Sequence, residues 1–278
     1  MNFGIKDIKE ITTSMSAYSD MDYSNYALSF LKRRLSYLFA QLNIRKIESF
    51  YEMLENSDFR EQILYHMCVD ATEMFRDPPF WRTLRDKIFE NLPKKAEHIW
   101  LPVAASGEEA FSLAILLHEN NLTQKYNIIV STPSCGRCEN IHNGKINSRH
   151  DAINQSNYKR LEDKNSYNKY IFNENGFSIL DQKYRQNIEC RQQAFPFVLP
   201  SEDNIGLILF RNISIYYNPK LSQQAFQLLI DKLMPGGFLV IGTKEQLPEI
   251  FREELIEIDP SEKIYKKPDF KQKYHAEY

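Results

Sequence analysis

Charge of one sign is what this 278-residue sequence lacks: 35 Lys and Arg stand against 37 Asp and Glu, a net charge of -2. No global field draws it to nucleic acid or to an anionic membrane, so a charged partner has to be met by a local patch. Long apolar runs are missing too. None approaches the roughly 18 residues needed to span a bilayer, and the opening MNFGIKDIKEI carries charges where a signal peptide is apolar. A cytoplasmic chain that does not span a membrane is expected. Cysteine is scarce, with Cys68, Cys135, Cys138 and Cys190 and one close pair, Cys135-Gly136-Arg137-Cys138. A CxxC can be a redox pair or half of a zinc site, but a zinc site needs two more spaced Cys or His ligands and none are near. Reduced cytosolic thiols and no metal are the expectation. Internal repeats and low-complexity tracts are absent.

What is present is 42% apolar and 13% aromatic residues, enough for one large core or a medium core with a small satellite. Residues 1 to about 95 show helical periodicity. In YSNYALSFLKRRLSYLFAQL, Tyr26, Phe30, Arg33 or Arg34 and Leu38 fall at steps of three or four, beside a basic cluster of Lys32, Arg33 and Arg34. An amphipathic helix with a positive edge follows, either a solvated face or a dock for an acidic partner.

After Pro93 short apolar runs alternate with helical ones: HIWLPVA at 98 to 104, a helix through SLAILLHE, NIIVST at 127 to 132, IGLILFRN at 205 to 212, a helix through LSQQAFQLLIDKL, and GFLVIGT at 237 to 243. Strands spaced by helices predict a mostly parallel sheet with helices on both faces and a ligand beyond the strands' carboxyl ends. The polar, Asn- and Tyr-rich stretch between Gly144 and about Cys190 is too long for a plain connection, which predicts a separable inserted subdomain offering a strand edge to a peptide.

The first strand runs through Ala104-Ala105-Ser106-Gly107-Glu108-Glu109 straight into a helix. Locally, Ser106 and Glu109 have capping-box spacing, and both acids suit the positive end of a helix. Functionally, small residues let a ligand approach the backbone while a carboxylate meets an ammonium group. The turn keeps specific company: DATEMFRDPPFW at 70 to 81, IWLPVAASGEEAFSLAILL at 99 to 117, LILFRNISIYYNP at 207 to 219 and LMPGGFLVIGTKE at 233 to 245, in that order.

Together with Asp22-Tyr23-Ser24-x-Tyr26 and Ser29-Phe30-Leu31-Lys32-Arg33-Arg34, these blocks resemble the chemotaxis-receptor methyltransferase (CheR) family over nearly the whole chain. The resemblance implies an N-terminal all-α domain at 1 to 75 and a Rossmann-like class I methyltransferase domain at 76 to 278, with a small subdomain inserted at about 145 to 187. It implies transfer of the methyl group of S-adenosyl-L-methionine to glutamates of a chemoreceptor, or of a related signalling protein. The family's cofactor contacts fall on Asp70 (Asn in well-known members), Thr72, Arg76, Glu108, Thr132, Arg211 and Asn212, and its aromatic near the methyl on Tyr216. Arg76 and Tyr216 are the implied catalytic pair. Arg76 can hold a carboxylate, Glu108 the methionine ammonium, and Asn212 and Thr72 polar atoms. A sulfonium is already an activated electrophile and a carboxylate already ionised, so no histidine base is required.

Six residues depart from the family pattern. Thr132 replaces the Asp that binds the ribose, Val103 a small residue beside Pro102, Ala194-Phe195 the Asn-Leu pair near adenine, Gly206 an Asp, and Phe210 a Cys. These changes are expected to gather around one nucleoside pocket, with Val103 narrowing it, so that S-adenosylmethionine binding is weakened, altered or lost, Thr132→Asp tightens it, and the alternative is a catalytically degenerate relative that binds a receptor or signalling partner without methyl transfer.

Overall fold

The computed structural model of the chain describes residues 3–18, 21–69, 72–162 and 165–269. Helices α1 (Ile5–Met15), α2 (Leu28–Gln41), α3 (Ile47–Met53) and α4 (Ser57–Met67) bury a common core around Ile11, Leu35, Leu38, Phe50 and Ile63. Helix α2 turns Phe30, Leu31, Arg34, Leu35, Leu38 and Phe39 inward, a two-residue-wide stripe repeating every four. Arg34 therefore leaves the basic edge. Its guanidinium donates to the carbonyls of His66 and Cys68 and so meets groups orphaned at the end of α4, while Lys32 and Arg33 stay exposed.

Helix α5 (Pro78–Thr83) opens with prolines in its first turn, where their missing N–H groups cost nothing. It leads to the main sheet. The elements that follow are β1 (His98–Leu101), α6 (Glu108–Glu119), β2 (Asn127–Thr132), α7 (Cys135–His142), β3 (Lys145–Ile146), α8 (Asp151–Lys159), β4 (Ile171–Glu174), β5 (Phe177–Leu180), β6 (Ile188–Gln192), β7 (Ile205–Phe210), α9 (Pro219–Lys232), β8 (Leu233–Ile241), β9 (Ile256–Asp259) and β10 (Ile264–Lys266).

Seven strands form one sheet in the order β6-β2-β1-β7-β8-β10-β9. The first five are parallel, and β10 runs antiparallel between β8 and β9. Strand β1 sends Ile99 and Leu101 into the core on one face and Trp100 into the core on the other, so both faces are covered and the alternation is apolar throughout. Strand order reverses between β1 and β7, the switch point at which a Rossmann-like sheet opens a crevice.

The segment at 145 to 187 carries a second, antiparallel sheet in the order β3-β5-β4. It is not separable. Tyr158, Leu161, Tyr167, Tyr170, Leu180 and Tyr184 share one core with α6, and the Tyr158 and Tyr170 hydroxyls both donate to Glu119 at the end of that helix. Asn154 accepts from the Met74 amide at 2.9 Å, and Asn157 donates to the Met74 carbonyl at 3.1 Å. The polar residues that read as a detached insertion are the means of attachment.

The CxxC pair also has a packing reason. Glu61 of α4 accepts from Ser134 Oγ (2.6 Å) and the Gly136 amide (3.0 Å) at the start of α7, and a Cβ on Gly136 would stand 3.2 Å from the Tyr65 ring. Arg137 reaches the Tyr65 carbonyl at 3.0 Å. The residues between the two cysteines let two helices approach.

Candidate active site

A cleft opens beyond the carboxyl ends of β1 and β7 and consists of two adjoining lobes. Val69, Val103, Ala104, Ala105, Ile213 and Tyr216 line both.

Glu108 stands at the first lobe, at the opening of α6, and is 1% exposed. One carboxylate oxygen accepts from Thr72 Oγ1 and Ser106 Oγ, each at 2.5 Å. The other is buried and has no hydrogen-bond partner among the described residues. Burial pushes the carboxyl above its ordinary range, against the pull of the Ser106 and Thr72 hydroxyls. A buried carboxylate oxygen without a donor is a strong demand for a cation or an N–H group.

The expected capping box does not form. Gly107, at φ 98°, is the residue before the helix, Ser106 turns to Glu108, and Glu109 goes instead to Arg211. A Cβ at Gly107 would come within 2.9 Å of Ile141 and Phe111, so conformation and space both require glycine there.

The strap 72–77 crosses the top of α6. Ser112 Oγ, itself donating to the Glu108 carbonyl, accepts from the Phe75 amide at 2.8 Å, and the Trp81 indole donates to the Arg76 carbonyl at 2.9 Å. Phe75 and Asp77 both have positive φ, 53° and 57°, on either side of Arg76. That backbone turns the Arg76 side chain outward, exposed at the cleft and in no ion pair among the described residues.

Arg211 has a different use. Its side chain is 2% exposed and bonds Glu109 at 2.6 Å and Asp77 at 2.8 Å, with the guanidinium 4.1 Å over the Phe80 ring. It lines the first lobe but is committed to fastening the strap to α6. Asn212, with φ 59°, follows it on the cleft wall. Tyr216 borders both lobes, its ring 4.8 Å from that of Phe30 and its carbonyl accepting from the Ala27 amide at 2.8 Å, so the N-terminal helices brace the site directly.

One residue carries this loop without having been singled out in the sequence. Glu245, 3% exposed, accepts from the amides of Asn212 (2.7 Å) and Gly242 (2.6 Å) and from Ser214 Oγ (2.7 Å). The Pro-Gly-Gly block that ends in Glu245 was the available signal, since an acid just past a buried strand has few reasons to point inward.

The second lobe is mostly apolar and aromatic, with Phe30, Met67, Pro133, Ala194, Phe195 and Tyr217 in its wall. Thr132 is not there. It is fully buried under the sheet's end, its hydroxyl sealed beside the Cys68 thiol, and Pro133 takes the wall position. Nor do all the departures meet at this lobe. Gly206 lies at the start of β7, where a Cβ would come within 2.4 Å of Ala96, and Phe210 packs on Phe195 and Phe226 in the core. Only Pro102, Val103, Ala194 and Phe195 face the cleft. Asp70 lies outside the described residues.

A switch-point cleft with an orphan carboxylate at one end and an aromatic slot at the other fits a zwitterionic amino acid joined to a nucleoside. Residues 70–261 match the CheR methyltransferase, SAM binding domain, and the chain belongs to that family. A protein of Pseudomonas putida named Cher3 is 25% identical over 232 residues, 81% of this chain and 83% of its own. A chemotaxis protein methyltransferase of Listeria monocytogenes is 24% identical over 246 residues, 87% and 90% of the two chains, and one of Borreliella burgdorferi is 21% identical over 246 residues, 81% and 85%. No helix among the described residues is long and apolar enough to cross a membrane.

Proposed function

We propose that this CheR-type methyltransferase esterifies glutamate side chains of a chemoreceptor or related signalling protein, with S-adenosyl-L-methionine as donor. The observation that carries the reading is the unpartnered oxygen of Glu108 in a cleft that also presents the unpaired Arg76. When bound, the cofactor supplies a methyl group on a sulfonium, an electrophile that needs no acid.

The chain's part is to bind, orient and dry the site. Glu108 takes the ammonium, with Thr72 and Ser106 holding its other oxygen and so its rotamer. Arg76 holds the carboxylate to be methylated, Asn212 fixes polar atoms of the donor, and Tyr216 walls the junction of the lobes and excludes water. A glutamate is ionised at neutral pH, so no residue has to remove a proton. Arg211 and Glu245 act through the strap and the loop they fasten.

The purified chain is to be incubated with donor labelled in the methyl group and with cytoplasmic fragments of methyl-accepting receptors. Base-labile label on glutamate, lost in Arg76→Ala, is the expected result. One observation favours a second reading: no carboxylate from the end of β2 reaches the cleft. On that reading the chain binds its partner without transfer, and the receptor fragment is retained with no label even at high donor concentration.

A further inference from the structure

The second lobe has lost the carboxylate that a nucleoside's two vicinal hydroxyls would bind, yet it is not without one. Among its described lining residues a single side chain is charged, that of Asp22, in the segment before α2. Asp22 is half-buried, and its placement is fixed locally: Oδ1 accepts from the Ser24 amide at 2.9 Å and from Ser24 Oγ at 2.6 Å. Both bonds use the same oxygen. Oδ2 is left over, and the carboxylate's orientation is already determined when a ligand arrives. The segment itself is anchored to the site, since Tyr26 packs on Tyr217 at 5.0 Å and Ala27 bonds the Tyr216 carbonyl. Gln193 adds a second polar group to the wall, its Oε1 accepting from Ser131 Oγ at 3.2 Å, which leaves the amide nitrogen as a free donor.

We infer that Asp22 is the ribose-binding carboxylate of this chain, supplied from the N-terminal helical segment in place of the end of β2, with Gln193 as its neutral companion. The inference rests on the cofactor reading above. It explains why the lobe tolerates Pro133 and a buried Thr132: the grip has moved across the cleft. It also makes the N-terminal segment part of the cofactor site, so that tight nucleoside binding requires the segment to be docked.

The test uses the full chain, calorimetry, S-adenosylhomocysteine and its 2′,3′-dideoxy analogue. The native protein is expected to bind the dihydroxy form about tenfold more tightly, as a charge-assisted contact is worth over a neutral one. Asp22→Asn keeps the acceptor that Ser24 needs, so the segment stays folded, and removes only the charge. It is expected to bind S-adenosylhomocysteine several-fold more weakly, to bind the dideoxy analogue as the native chain does, and so to lose most of the discrimination. Equal discrimination in Asp22→Asn and the native protein overturns the inference, as does a native protein that binds both forms equally well. Failure of the native chain to bind S-adenosylhomocysteine at all overturns the cofactor reading, and the assignment of Asp22 falls with it.

Discussion

In the first lobe of the cleft the polar groups arrive already held: Glu108 by Thr72 and Ser106, the strap around Arg76 by Ser112 and Arg211, and the loop of Asn212 by Glu245. In the second lobe the wall is built from Phe30, Pro133, Phe195 and Tyr217, with one charged side chain, Asp22, among the described residues that line it. The lobes share a boundary and a fold but not a design. The first holds its groups by hydrogen bonds between chain segments, so it tolerates few changes. The second presents mostly apolar surface, where substitutions that conserve volume cost little, and Val103, Ala194 and Phe195 lie in its wall.

The sharpest way to break this comparison is to force the family's carboxylate back into the second lobe. Thr132→Asp, which the sequence alone recommends as a gain, puts a charge at a position with no solvent exposure and no cleft contact. An unpaired buried charge costs about 3–5 kcal/mol, so chemical denaturation should show a loss of that size, with no improvement in affinity for S-adenosylhomocysteine. A folded variant of native stability that binds more tightly would return Thr132 to the site.

The counterpart in the first lobe is Glu108→Gln. Its affinity for S-adenosylhomocysteine should fall about 30- to 100-fold, the equivalent of about 2–3 kcal/mol for a charged hydrogen bond. Stability should move the other way. Because burial raises the folded-state pKa of Glu108, the empty native protein binds an extra proton above the ordinary value of 4.5. Its stability is therefore fully present below pH 4.5 and declines as pH rises through the raised value. The Gln variant lacks that decline, so the two proteins should agree in denaturation below pH 4.5, with the variant the more stable at pH 8. A site that sacrifices stability for binding behaves this way. Equal stabilities at both pH values would show that Glu108 is satisfied in the empty cleft.

Much of this was legible in advance, and the limits have physical causes. NIIVST became β2 over the residues expected, because a short apolar run flanked by polar residues has one way to be buried on both sides. HIWLPVA gave only His98–Leu101, cut short before Pro102. Strand β8 begins at Leu233, well before the Gly237 expected, since Leu233 pairs with Ile205 of β7 and the Gly236 amide and Gly237 carbonyl bond Lys267 beyond β10, despite a low strand propensity. Strand β6, with its alternating charged residues, is an edge and reads as loop. At the site, the placement of Glu108 and Arg76 on the cleft was readable because their blocks are contiguous. Which of Arg33 and Arg34 is buried, where Thr132 points, and whether Arg211 is free depend on contacts between segments far apart in sequence, which no local pattern encodes. The segment 145–187 shows the same limit from the other side, for its Asn and Tyr residues looked solvated and are bonded across to Met74 and Glu119.

A smaller effect tests whether the first lobe's rigidity matters as such. Glu245 lines neither lobe but fixes the loop bearing Asn212 and Ser214. Glu245→Gln retains an acceptor but trades charge-assisted bonds for neutral ones, so a loss of about 1–2 kcal/mol of stability is expected. On the proposed function, methyl transfer at saturating donor should fall further than donor affinity does, because the loop carries Tyr216, which borders both lobes. An equal fall in both would make Glu245 a stability residue only.

The smallest effect expected is at the boundary of the lobes, where Val103 stands in place of the family's small residue and borders both cavities. Reduction to alanine removes two methyl groups from a partly buried side chain that packs against the core of Trp100 and Ile208. The stability cost should be about 1 kcal/mol, below the range for fully buried large side chains because the site is open on one side. If the two lobes bind one extended ligand independently, widening the boundary should change affinity for S-adenosylhomocysteine by less than about threefold, since no polar contact is lost. If instead the valine crowds the ligand where its two halves join, relief of overpacking at about 1–3 kcal/mol predicts a gain of about fivefold to 150-fold. Isothermal titration of Val103→Ala beside the native chain separates the two, and a second titration in the Asp22→Asn background shows whether the boundary and Asp22 are coupled, as neighbours within one cavity are expected to be. A large gain confined to the native Asp22 background would mean that valine keeps the ribose from reaching the carboxylate, and that the second lobe is limited by shape rather than by charge.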